Sequence, residues 1–219
     1  MPERLRFSAA AAYRHLRRVD PIVGRLIDEH GPYTPRPSTE PYAQLVRTIL
    51  FQQLAGAAAR TIQRRLYAHF RDEGGDEGGD EARTPTPEEL LATDDDTFRS
   101  VGVSRQKAGY LRDLARHTIE GNLDFDHIDN YTDDEVIAHL IAVKGIGEWS
   151  AHMFLMSHLG RPDILPIGDL GVQKGMEVCY DLKATPKPKE AAEIGAKWAP
   201  YRSVASWYMW RAADTITLD

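Results

Sequence analysis

Residues 143–156 read VKGIGEWSAHMFLM. Two glycines, Gly145 and Gly147, flank one isoleucine; a Glu-Trp pair follows, then an apolar run. Just upstream, Thr132-Asp133-Asp134-Glu135 is a capping box that opens a helix with Val136, Ile137, Leu140 and Ile141 on one face. Just downstream, Trp149, Met153 and Met156 share a face of the next helix. The organisation is helix, short glycine turn, helix. Glycine adopts dihedrals that other residues resist and leaves neighbouring amides uncovered. The first N–H groups of the second helix carry partial positive charge, so the turn suits an anion such as a phosphate. The same pattern also fits a plain αα-hairpin in which glycine only turns the chain.

Helix signals continue in both directions, and strand alternation is nearly absent. Asp20-Pro21 opens a segment with Ile22, Val23, Leu26 and Ile27 on one face, and Gly31 stops it. Four prolines between Pro32 and Pro41 predict an extended linker. Leu45, Val46, Ile49, Leu50 and Gln53 follow at the spacing of one helical face. Ala55 to Ala59 allow close packing, and Ile62, Leu66 and Phe70 extend the helical pattern. Thr86-Pro87-Glu88-Glu89 is another capping box, and Ser104 can cap a helix carrying Tyr110, Leu111, Leu114 and Ile119, which Gly121 ends. Asp169 begins a segment running to about Tyr180, and two more helices carry Trp198, Trp207 and Trp210. The pattern predicts an all-α chain of roughly ten helices.

The 219 residues suffice for one sizeable core or two small lobes sharing a cleft. No apolar run is long enough to span a membrane, and the N-terminal stretch lacks the form of a signal peptide. The single cysteine, Cys179, excludes an internal disulfide and a four-cysteine iron–sulfur cluster, so a reducing, cytoplasmic setting is expected. Net charge is −6, but residues 72–81 (DEGGDEGGDE) hold six acids and no base. Without them 27 acidic residues face 27 basic ones, so the global charge reports one segment. Residues 72–85 are expected to form an acidic disordered loop between helices, or else a tail mimicking DNA. There is no G-x-x-x-x-G-K-[ST], G-x-S-x-G or H-E-x-x-H, and His152 and His158 do not share a helix face.

V-K-G-I-G-E-W-S-A, an apolar helix, then L-P-I-G-D-L-G resembles the helix-hairpin-helix DNA glycosylases, within them the 3-methyladenine DNA glycosylase II (AlkA-like) branch. I-L-F-Q-Q-L-A-G-A-A-A, D-P-I-V-G-R-L-I and P-Y-R-S-V-A-S-W-Y-M-W extend the likeness from Asp20 to Trp210. The resemblance implies a monofunctional enzyme that flips an alkylated purine (3-methyladenine or 7-methylguanine type) out of double-stranded DNA, excises it and leaves an abasic site in base excision repair. It implies two helical lobes, residues 1–39 with 161–219 and residues 40–160, the second holding the helix-hairpin-helix at about 133–159. DNA would lie bent across the cleft, with Asp169 and Trp149 at its mouth, and the enzyme would act as a monomer away from membranes. The N-terminal β-rich lobe of long AlkA-like enzymes is not expected.

Residue by residue, Asp169 matches the catalytic aspartate, which stabilises oxocarbenium-like charge and orients or deprotonates water; a helix cap is its other reading. Trp149 stands where bifunctional relatives carry a Schiff-base lysine; it implies loss of the lyase step and an aromatic face for a cationic purine, or else a core tryptophan. Trp210 matches a second pocket aromatic, with Trp207 packing, and Tyr33 is placed at the pocket wall. Gln53 either contacts the unpaired partner base or is an exposed helix residue. Backbone groups of Val143, Lys144, Gly145, Ile146 and Gly147 would grip phosphate. Lys144 replaces the family's usual proline and adds a phosphate contact or is simply solvated. Val103, Ser104 and Arg105 match the segment of the intercalating wedge; Arg105 replaces a leucine, so Val103 or Arg105 fills the gap or the probe is shallower, and Ser104 also suits a cap. No cofactor is required, although in the family Na+ or K+ often sits on hairpin carbonyls, here those of Val143, Gly145 and Gly147. The alternatives are a catalytically inert helix-hairpin-helix module that binds DNA structure, and a bifunctional glycosylase/lyase, which Trp149 disfavours.

Overall fold

The start and stop signals read above become real helix ends. The structure, a computed structural model, describes residues 7–34, 40–70 and 83–216. Among them are twelve α-helices and two single-turn 3-10 helices, with no strand, in keeping with the all-α expectation. In chain order they are α1 (Ala9–Val19), α2 (Pro21–His30), α3 (Pro41–Phe51), α4 (Gly56–His69), α5 (Pro87–Ala92), α6 (Asp95–Ser100), α7 (Arg105–Ile119), α8 (Asp133–Ile141), α9 (Glu148–Ser157), α10 (Leu170–Cys179), α11 (Pro188–Gly195) and α12 (Arg202–Ile216). Asp20 caps α2 through the Ile22 amide, with Pro21 in the first turn and Gly31 at the C-cap with φ +73°. Both capping boxes form, at Thr86/Glu89 and at Thr132/Glu135. The sequence pattern does not announce α1: its alanines mask the apolar spacing, yet Ser8 caps it and Ala12 and Leu16 are buried. None of these helices is long and apolar enough to cross a membrane.

The chain divides into two units, Met1–Ser38 with His152–Asp219, and Thr39–Ala151. The division falls inside α9, which supplies residues to both, rather than after Gly160.

In the unit built from the two ends of the chain, α10 packs on α12, and α2 packs on α1 and α12. Its core holds Leu16, Val23, Met176, Trp198, Tyr208 and Met209. The α10–α12 approach is so close that a Cβ on Gly175 would lie 2.1 Å from the Met209 carbonyl oxygen. Buried Asp20 ties distant segments together: it accepts from the Tyr180 hydroxyl, from Trp198 Nε1 at 2.8 Å and from Lys197 Nζ at 3.1 Å. Burial pushes its carboxyl pKa up, but the bonds from Tyr180, Trp198 and Lys197 outweigh that and hold it below the ordinary 3.8.

In the other unit α7 packs against α3, α5 and α6. Leu45, Val46, Ile49 and Leu50 of α3 are all buried, as are Leu111 and Leu114 of α7. Gln53 does not share that apolar face: α3 stops at Phe51, and Gln53 sits beyond it with φ +55°. The acidic run 72–81 and the prolines at 35 and 37 lie outside the described residues. Residues 83–85, expected to belong to the acidic loop, are part of the fold. Arg83 makes a two-pronged ion pair with Glu89 at 2.6 and 2.7 Å, and Pro85 is buried.

Two outcomes follow. Gly175→Ala gains about 1 kcal/mol of helix propensity but drives a Cβ into backbone that no rotamer change can clear. We expect a net loss of at least ~1–3 kcal/mol and a Tm lower by several degrees in a thermal melt. Asp20, with its folded pKa depressed, contributes stability that is present above the unfolded carboxyl pKa and lost as pH falls through the folded value. Urea titrations from pH 7 downward should show wild-type stability falling below about pH 4, with Asp20→Asn less stable at pH 7 and flatter across that range. Parallel curves would contradict this.

Candidate active site

The hairpin between α8 and α9 is built on α7. Gly145 has φ +84°, and a Cβ there would lie 2.3 Å from the Tyr110 ring, so the turn can close only on a residue without a side chain. One helical turn beyond Tyr110, Asp113 is buried and accepts from the Lys144 amide at 2.9 Å and from Arg116 at 3.0 Å. The Ile146 amide turns inward to the Val143 carbonyl at 3.1 Å, and the side chains of Val143 and Ile146 are buried. What faces outward is backbone: Gly147 is exposed, and a Cβ there would meet nothing within 4 Å. The α9 start follows directly, with Ala151 N donating to the Gly147 carbonyl. Its N-terminal dipole is aimed where an anion would sit. The Lys144 side chain is exposed at the rim, its Nζ 3.8 Å from Asp113 Oδ1.

The loop after α3 belongs to the same unit. The Gln52 side-chain amide donates to the Gly145 carbonyl at 2.7 Å. Lys107 Nζ donates to the Leu50 and Gln52 carbonyls at 2.6 and 2.8 Å, and burial pushes its ammonium pKa down. Gln53 is exposed, and so is Leu54, an apolar side chain left 40% accessible.

The hairpin carbonyls are oxygen donors of the kind that suits a hard monovalent cation. Val143 and Gly147 each accept one backbone hydrogen bond and keep a second lone pair. The Gly145 carbonyl likewise accepts one bond, from the Gln52 side-chain amide, and keeps a second lone pair. Among the described residues no His, Cys, Asp or Glu cluster could hold a metal ion.

Asp169, in the other unit, is the N-cap of α10 and only 8% exposed. Its Oδ1 accepts from the Val172 amide at 2.8 Å and from Trp210 Nε1 at 2.7 Å. Gly171 makes that second bond feasible, since a Cβ there would lie 2.8 Å from the Trp210 ring. Two fixed N–H donors thus orient one carboxylate at a helix N-terminus, where negative charge is favoured. The cap reading holds, and it leaves the functional one open to the same side chain. Leu170, the next residue, is 64% exposed.

Trp149 is 49% exposed in the first turn of α9, which excludes a core tryptophan. Trp210 is half-buried against Asp169, and Trp207 packs edge-on to Tyr33 and Tyr208. Two expected site residues prove to be core. Val103 is 3% exposed, so its side chain fills the interior and leaves only Ser104 and Arg105 of that segment at the surface. Ser104 caps α7 through the Lys107 amide. Tyr33 is buried between Phe7 and Trp207, its amide donating to the Tyr13 hydroxyl, and burial raises its phenol pKa to about 12. Sequence reasoning passes over Gln52, Lys107, Tyr110 and Asp113. Asp113 left one trace, a charge set between Leu111 and Leu114 in an apolar stripe.

Comparisons with known proteins identify the family. The profile described as "HhH-GPD superfamily base excision DNA repair protein" matches residues 46–201. The DNA-3-methyladenine glycosylase 1 of Schizosaccharomyces pombe is 31% identical over 94% of this chain and 88% of its own. A crystal structure of a DNA-3-methyladenine glycosidase from Bacillus halodurans superposes with a TM-score of 0.80 at 32% identity, over 95% of this chain and 91% of that one. The S. pombe enzyme Mag1 in complex with abasic DNA gives 0.78 at 30% identity, over 92% and 95%. The matched span takes in the glycine hairpin, Trp149 and Asp169, and the chain belongs to the HhH-GPD superfamily of base excision DNA repair proteins.

Proposed function

We propose that the protein is a monofunctional DNA glycosylase that excises alkylated purines from double-stranded DNA and leaves an abasic site. The observation that carries this reading is Asp169, a nearly buried carboxylate fixed by two N–H donors. As the C1′–N bond lengthens, its electron pair leaves with the base and the sugar gains positive charge. A preoriented carboxylate stabilises that charge without reorganising, and water then adds to C1′ and gives up a proton. An alkylated purine is already cationic, so it departs neutral and needs no strong acid. The exposed indole of Trp149 offers a face to such a cation, worth ~1–2 kcal/mol once water is excluded. A tryptophan there cannot form the Schiff base that a lyase step needs.

The hairpin backbone supplies the phosphate grip, with Gly147 open and Lys144 at the rim, so binding should weaken as salt rises. A monovalent cation on the Val143, Gly145 and Gly147 carbonyls would add positive charge beside that phosphate. One copy carries every residue invoked, which favours a monomer.

Asp169→Asn isolates the chemistry, because asparagine caps a helix as well as aspartate does. On methylated duplex DNA we expect base release by wild type, with strand breaks only after alkali, and a loss on the order of 10²–10³-fold in the variant. No release by either protein, with equal DNA binding by both, would favour an inert hairpin module. Strand breaks by wild type before alkali would favour a bifunctional enzyme. Trp149→Ala should lower release of cationic 7-methylguanine by roughly 5–30-fold and release of neutral hypoxanthine by less. Equal losses on both bases would remove the cation argument.

A further inference from the structure

Three residues on one face of α7, spaced three apart, each hold a different part of the DNA-facing surface of their unit. Lys107 holds the chain leaving α3, through the Leu50 and Gln52 carbonyls. Tyr110 seats Gly145, and Asp113 holds the Lys144 amide. Gln52 closes the set by donating to the Gly145 carbonyl. We propose that this face of α7 is a jig that fixes the exposed loop 52–55 relative to the phosphate-gripping hairpin, with Lys107 and Gln52 as positioning residues that hold Gln53 and Leu54 ready to enter the DNA. The proposal rests on the glycosylase reading only in taking the hairpin and this loop to meet DNA.

The packing of α3 on α7 does not need these polar links. Leu45, Ile49 and Leu50 on one side and Leu111 and Leu114 on the other are already buried. The links act on the last turn of α3 and on the loop beyond it. Gln53 has φ +55°, a conformation that a non-glycine residue resists and that persists where the surroundings over-determine it. Lys107 on one side and the Gln52–Gly145 bond on the other are those surroundings. They hold outward one polar side chain and one apolar one, Gln53 and Leu54, the pair required to meet a base edge and to fill a gap in a stack.

The test uses a duplex with a stable abasic-site analogue opposite 2-aminopurine, whose fluorescence rises when it unstacks, so no bond cleavage is required. Wild type, Lys107→Met, Gln52→Leu and Lys107→Arg are compared at saturating protein, with affinity measured by anisotropy. We expect a clear fluorescence rise with wild type and with Lys107→Arg. Lys107→Met and Gln52→Leu should lose at least half of that rise while keeping duplex affinity within about threefold. Gln52→Leu carries the test if Lys107→Met fails to fold. A purely structural role would lower Tm and leave the saturated signal unchanged; that result, or no rise with wild type, overturns the proposal. Base release by wild type, measured in parallel, tests the glycosylase reading separately.

Discussion

The Gly145 backbone lies against the Tyr110 ring more closely than any Cβ permits. That contact sets the hairpin. It brings the Lys144 amide onto Asp113 and the Gly145 carbonyl within reach of Gln52, and it leaves Gly147 and the start of α9 facing outward. A buried carboxylate such as Asp113 is tolerable only because backbone and side-chain donors meet it. The turn's open outer side and its crowded inner side are thus one constraint seen from two directions.

The other unit solves a related problem around Asp169. For the role proposed above, the carboxylate has to be fixed in place before any charge develops. The first turn of α10 and the Trp210 indole provide two directed donors to one oxygen. Gly171 leaves room for the indole, and the α10–α12 approach at Gly175 keeps the helix bearing the aspartate and the helix bearing the tryptophan at a single separation.

Local rules made much of this legible. Caps, capping boxes and terminal glycines depend on neighbours within four residues, so Asp20, Thr86, Ser104, Thr132 and Asp169 could be read one stretch at a time. Val103 and Tyr33 were misplaced because their positions next to a motif say nothing about which way a side chain faces; both are core. Gln53 fell at helical spacing from Leu50, but the spacing could not register that α3 stops at Phe51. Lys107 and Gln52 act on groups 55 to 93 residues away, and no periodicity carries that information.

Asp169 as a helix cap has an evolutionary consequence. Aspartate and asparagine cap equally well, and their codons differ by one nucleotide. On the proposed function, folding gives this carboxylate no protection: a single base change would leave a stable protein able to hold DNA without acting on it. Such a protein would shield lesions from working enzymes. On that reading only the chemistry, and not the fold, distinguishes aspartate from asparagine here, and a duplicated gene would stand one step from a DNA-binding protein without activity.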